Sequence, residues 1–156
     1  MIENIIFRFF LYSAIGIFFE VIISAITKIV TKEVIPPEAY RLTGFSYLWM
    51  IFVYGVGLTF IFEPILGLIL MIPINKYIIL FPIGFIVWGI MFTLFEALCG
   101  FIIYKIIGFC PWSIFPKEQG GILGGFTKWY MFPIWGLMGI LFSFITLKFW
   151  VLMNII

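Results

Sequence analysis

Four long apolar runs constrain this chain more than any other feature. The first extends from Ile5 to Thr27 and holds only Arg8 and Glu20 as charged residues. A helix needs about 20 apolar residues to cross a bilayer. Within hydrocarbon every backbone N–H and C=O must bond inside its own segment, and a helix does this in a single pass. Further spans are expected at Phe45–Phe62, Ile78–Tyr104 and Trp129–Met153. Composition agrees: 65% of the 156 residues are hydrophobic and 10% are charged, against roughly 45–50% and about 25% in soluble domains. The fold class expected is an all-α integral membrane protein with four transmembrane helices, a single transmembrane domain over residues 1–156, placed multi-pass in the cell membrane.

The first run exceeds the apolar core of a signal peptide and lacks a small-residue cleavage site, which predicts a retained helix. Glu63-Pro64 follows the second run. Proline disfavours the helical conformation of the residue before it, so Glu63 is expected to end or kink that helix at a solvated interface. The short Ile65–Ile72 stretch is then a kinked extension or an interfacial segment. Pro82 and Pro133 fall in the first turns of their helices. Loops 1 and 3 hold Lys28, Lys32, Arg41, Lys105, Lys117 and Lys128, and the other side holds Arg8, Lys76 and Lys148. That bias predicts loops 1 and 3 in the cytoplasm and both termini outside.

Two intramembrane glutamates carry the functional signal. Ser13, Gly16, Glu20, Ser24 and Thr27 recur at helical spacing along one stripe. Gly89, Thr93, Glu96 and Gly100 form a second, and Gly136, Gly139, Ser143 and Thr146 a matching face on the fourth helix. Each glutamate follows a phenylalanine, and each loop leads to an aromatic-glycine step, Tyr54-Gly55 or Trp135-Gly136. The chain therefore reads as two parallel-repeat helical hairpins, about 5–72 and 78–153, related by a pseudo-two-fold along the membrane normal. Glu20 and Glu96 would share one depth and line a common polar cavity.

A charged group at mid-bilayer costs about 2.5–3.5 kcal/mol on insertion scales. Protons, cations or hydrogen-bond donors must offset that. The functional reading is a proton- or cation-binding site in a transport path, from Glu20, Glu96, Ser24, Thr93, Ser13 and Tyr54. The structural reading is a hydrogen-bonded pair that holds helices together. Glu63, Cys110 and Trp112 are secondary candidates.

Several classes are excluded. Histidine is absent, which removes His-based zinc sites and His-dependent triads. The small, dispersed net charge of +2 argues against nucleic acid. Cys99 and Cys110 suggest neither a disulfide framework nor a thiolate metal site, so no cofactor is expected. Any bound metal at the carboxylates is left unspecified. The glycine-rich Gly120–Gly125 segment reads as a flexible hinge, since it lacks the Lys-Ser/Thr of an ATP-binding loop. Membrane lipids are expected partners, and a homodimer and a separate ATPase chain are admitted.

The stretches FFLYSAIGIFFEVI (9–22), LTGFSYLWMIFVYGVG (42–57), Ile61-Phe62-Glu63, LFEALCGFIIYKIIGFCPWSIF (94–115) and FPIWGLMG (132–139) resemble a bacterial family labelled ABC-transporter type IV (CmpB-like) and the related animal transmembrane protein 229 family. Where that family has an Asp/Ser-Tyr pair after the tryptophan, this chain has Ser113-Ile114. The resemblance implies a multi-pass protein of transporter type and marks Glu20, Glu63, Glu96, Cys110, Pro111 and Trp112. The function expected is a permease-like transport component. A membrane-embedded enzyme or binding protein acting on a lipid, and a structural or assembly subunit, are the alternatives.

Overall fold

A computed structural model describes residues 2–30, 32, 43–71, 79–110, 112 and 114–152. Within them, four helices are long and apolar enough to cross a membrane. The first, α1, spans Ile2–Val30, and its 29 residues reach about 43 Å at 1.5 Å per residue. The second, α2, runs over Met50–Leu70. The third, α3, covers Gly84–Ile107 and is preceded by a π-helical turn at Ile79–Ile83. The fourth, α4, spans Met131–Leu152. The expected loop 1 lies mostly outside the described residues, as does Pro111.

Helix α2 departs from the expected ending at Glu63. It begins at Met50 rather than near Phe45 and passes through Glu63-Pro64 without a stop. A π-helical turn at Gly57–Phe62 immediately precedes the Glu63-Pro64 pair. Proline lacks an N–H, and its ring clashes with the carbonyl four residues earlier in a regular helix. The wider turn absorbs both problems. The same device appears around Pro82, inside the turn that leads into α3.

The chain divides into two compact units, Met1–Pro64 and Ile65–Ile156. In the first, α1 packs on the first half of α2. A Cβ placed on Gly16 would lie 2.3 Å from Cγ of Tyr54, so the missing side chain is what admits the Tyr54 ring. The Ser13 hydroxyl lies 2.7 Å from the Ile51 carbonyl of α2 and 2.8 Å from the Phe9 carbonyl one turn back. Its one proton serves these two acceptors. Tyr12 and Phe62 are fully buried.

In the second unit α3 packs on α4. Trp88 is buried over Gly139, where a Cβ would sit 2.1 Å from the Trp88 Cβ. Phe142 meets Trp88 edge-on at 5.9 Å. Ser143 and Thr146 are fully buried on this face, and the Ser143 hydroxyl donates to the Gly139 carbonyl at 2.9 Å. The α3 helix ends at Gly108, whose left-handed φ of 81° lets its N–H bond the Tyr104 carbonyl.

The Gly120–Gly125 segment, expected to be a flexible hinge, belongs instead to a β-hairpin. Strand β1, Gly121–Ile122, pairs antiparallel with strand β2, Thr127–Lys128. Short 3₁₀ turns at Lys117–Gln119 and Leu123–Gly125 flank and join them. The glycines supply the positive φ angles that this tight hairpin needs, at Gly120, Gly124 and Gly125. The fold is thus mostly helical with a small β-hairpin, rather than purely helical.

Candidate functional site

In each unit neutral donors from the following segment and helix meet a glutamate of the first long helix. In the first unit the Ser46 hydroxyl donates to Glu20 Oε2 at 2.7 Å, and the Tyr54 hydroxyl also bonds the carboxylate. Ser46 lies in the extended segment before α2, and Tyr54 lies on the first turns of α2. In the second unit Thr127 of β2 donates to Glu96 Oε2 at 2.5 Å, and the Trp135 indole N–H donates to the same oxygen at 2.9 Å. Ser46 and Tyr54 are eight residues apart, as are Thr127 and Trp135. In each case a hydroxyl from the segment just before a helix and an aromatic donor two turns further on meet one carboxylate.

The residues around the hydroxyl donors explain their placement. Ser24 accepts the backbone N–H of Phe45 at 2.8 Å, next to Ser46 in the chain. Gly44 is required there, because a Cβ would lie 1.9 Å from the Val21 carbonyl oxygen. In the second unit Trp112 donates its indole N–H to the Phe126 carbonyl at 2.7 Å, next to Thr127. Its ring fills the space over Gly100, one turn beyond Glu96. Gly125, with φ of 86°, passes so close to Phe115 that a Cβ would be 2.5 Å from its carbonyl oxygen. A lysine borders each of these segments: Lys28 Nζ sits 4.5 Å from the Phe45 ring centre, and Lys128 Nζ 3.9 Å from that of Phe115.

Among the residues expected at the site, Glu20, Tyr54, Ser13 and Ser24 fall in the first unit. Tyr54 touches the carboxylate. Ser24 positions the neighbouring donor, and Ser13 ties α1 to α2. Glu96, Thr93, Cys110 and Trp112 fall in the second unit. Thr93 is buried one turn before Glu96, and its hydroxyl has no hydrogen-bond partner among the described residues. Thr27 ends the expected stripe but is exposed. Trp112 acts through Phe126 on the Thr127 donor. The Cys110 thiol lies beyond the end of α3, and burial pushes its pKa up, opposed by the backbone N–H of Trp112. It is therefore no activated nucleophile. Among the described residues, no three His, Cys, Asp or Glu side chains gather as a metal site.

Glu63 requires a correction. It is not a solvated helix end: it is 3% exposed, and Arg8 Nη1 of α1 meets its Oε1 at 2.6 Å. Arg8 also donates through Nε to the Asn4 carbonyl at 3.2 Å. The continuous α2 helix carries Glu63 back against α1, so the two charges neutralise each other inside the unit.

Sequence reasoning missed Ser46, Thr127 and the indole of Trp135 as carboxylate donors. The signal was present as Gly44-Phe45-Ser46 and Gly125-Phe126-Thr127, each set eight residues before Tyr54-Gly55 or Trp135-Gly136. Comparison of the chain with protein-family models, with curated proteins and with solved structures returns no match.

Proposed function

We propose that the chain is a multi-pass protein of the cell membrane, built as two helical hairpins of one pattern, and that it works as a permease-like transport component. Glu20 and Glu96 are its proton- or cation-exchanging groups. The observation that carries this reading is the kind of donor each one meets. Ser46, Tyr54, Thr127 and Trp135 are all neutral, whereas Glu63 faces a guanidinium. Neutral donors orient a carboxylate without adding a fixed charge of their own, and intramembrane carboxylates mark proton and cation pathways. The matched eight-residue spacing of the donors supports the repeat, with the two hairpins parallel about an axis along the membrane normal. The resemblance to the CmpB-like family points the same way.

A second reading is favoured by the same bonds. Two donors per carboxylate also make a clamp that fixes each loop to its first helix, with no transport at all. Glutamine separates the two. It keeps an acceptor oxygen for the donors but takes up no proton and carries no charge to balance a cation. Full-length protein in vesicles should lose proton and monovalent-cation flux in Glu20→Gln and Glu96→Gln while staying folded. Unchanged flux in the double variant would leave the clamp as the whole role of these residues.

A further inference from the structure

The second unit serves as an internal control for the first. Under the pairing that sets Glu20 against Glu96 and Tyr54 against Trp135, most contacts have a counterpart. Phe9 fills the space at Gly55, as Phe85 does at Gly136. Several polar residues of the first unit have no polar counterpart: Ser13 and Ser24, which bond backbone groups, stand where the second unit has Gly89 and Gly100, and three others gather near the middle of α2. Arg8, Thr59 and Glu63 stand where the second unit has Gly84, Ile140 and Phe144. The second unit packs α3 on α4 without any of the three, so a hairpin of this pattern does not need them to fold.

Their presence is costly on physical grounds. A buried ion pair at best roughly offsets its own desolvation, and Glu63 is 3% exposed. Thr59 is 5% exposed, and its Oγ1 has no hydrogen-bond partner among the described residues. A buried hydroxyl without a partner is unfavourable, and more so in hydrocarbon. Thr59 lies inside the π-helical turn Gly57–Phe62, one turn before Glu63 on the same helix. Such turns concentrate at functional positions. A carboxylate, its counter-charge and an unsatisfied hydroxyl thus gather at one station that the fold itself does not require.

We propose that Arg8, Thr59 and Glu63 form a proton-exchange station in the first unit. A water held on Thr59 Oγ1 passes one of its protons to the Glu63 carboxylate as it takes another from the solvent water behind it, so one O–H bond breaks for each that forms and no hydroxide is left. An O–H bond forms there and the ion pair with Arg8 loosens. The reverse step returns the proton to water and restores the pair, while Arg8 stays cationic throughout. This deepens the transport reading, on whose hairpin pairing it rests, by naming the proton as the transported species.

The test is proton flux into vesicles carrying the full-length protein, an entrapped pH-sensitive dye and an imposed potassium diffusion potential. Glu63→Gln and the double variant Arg8→Gln/Glu63→Gln should each lower flux by about tenfold or more, the range of a lost acid–base group. Thr59→Val should lower it with unchanged helix content. The double variant strands no charge, and its helix content, measured alongside, separates loss of flux from loss of fold. Flux unchanged in the double variant overturns the station. So does a double variant that fails to fold, because the internal control then fails. If Glu20→Gln and Glu96→Gln abolish flux while the double variant keeps it, the station is wrong and the transport reading stands. The opposite pattern keeps the station and removes Glu20 and Glu96 from the path. A wild-type protein that passes sodium or potassium but no protons overturns the station alone.

Discussion

Replacing Trp135 by Phe removes one N–H and little else of the chemistry at Glu96. The lost bond is 2.9 Å long and ends on a carboxylate oxygen. Hydrogen bonds to charged groups contribute about 1.5–3 kcal/mol to stability. Thr127 still donates to the same oxygen at 2.5 Å, so the loss falls at the lower end, about 1.5 kcal/mol. The smaller ring also loses contact with Phe92, whose ring centre lies 6.1 Å away. A double-mutant cycle with Glu96→Leu, which leaves the indole no acceptor, separates the two effects, because packing loss appears in both backgrounds and cancels. Stability would be read by denaturant titration in lipid–detergent mixtures, using helix content as the signal. The expected coupling between Trp135 and Glu96 is about 1 kcal/mol or more. A coupling within about 0.3 kcal/mol of zero would refute the claim that the indole grips the carboxylate.

Three more outcomes follow from the same geometry. Gly139→Ala should destabilise by about 1–3 kcal/mol, since the new Cβ would meet the Trp88 Cβ at 2.1 Å, whereas Gly67→Ala meets only a 3.7 Å contact with Trp150 and should be neutral or stabilising in the same denaturation assay. Trp112→Phe frees the Phe126 carbonyl and should loosen the β-hairpin, seen as faster amide exchange at Thr127 and Lys128 with the exchange of α4 unchanged. With Cys99 replaced by alanine, alkylation of Cys110 should reach half its maximal rate above pH 8.5, roughly the value for a free cysteine, because burial favours the neutral thiol. A midpoint at or below that value would contradict the burial assigned to Cys110.

The helices were legible because apolar run length is a strong signal: all four expected spans overlap helices, three with ends a few residues away, whereas α2 starts at Met50 instead of Phe45 and runs on to Leu70 instead of stopping at Phe62. The small-residue stripes were legible for the same reason, since Gly16, Gly89, Gly136 and Gly139 mark close approaches at helical spacing. Glu63 was misread because the rule for residues before proline assumes a regular helix. Glu63 takes the helical conformation directly before Pro64 (φ −64°, ψ −45°), the π-helical turn relieves the ring's clash with the carbonyl four residues back, and nothing in the residues Gly57–Phe62 announces that turn. The hairpin in the Gly120–Gly125 segment was hidden because flexible linkers and tight turns use the same glycines. The carboxylate donors were partly legible. Tyr54 stood out, while Ser46 and Thr127 sit outside the helices where periodicity gives no guidance.

The central claim is that Glu20 and Glu96 take up and release a proton or cation. Infrared difference spectra of the protein in lipid, recorded across a titration with protons, sodium and potassium, test it most directly. Carboxyl bands should change on titration and vanish one at a time in Glu20→Gln and Glu96→Gln. Bands assigned to these residues that stay fixed throughout would contradict it and make both glutamates permanent clamps.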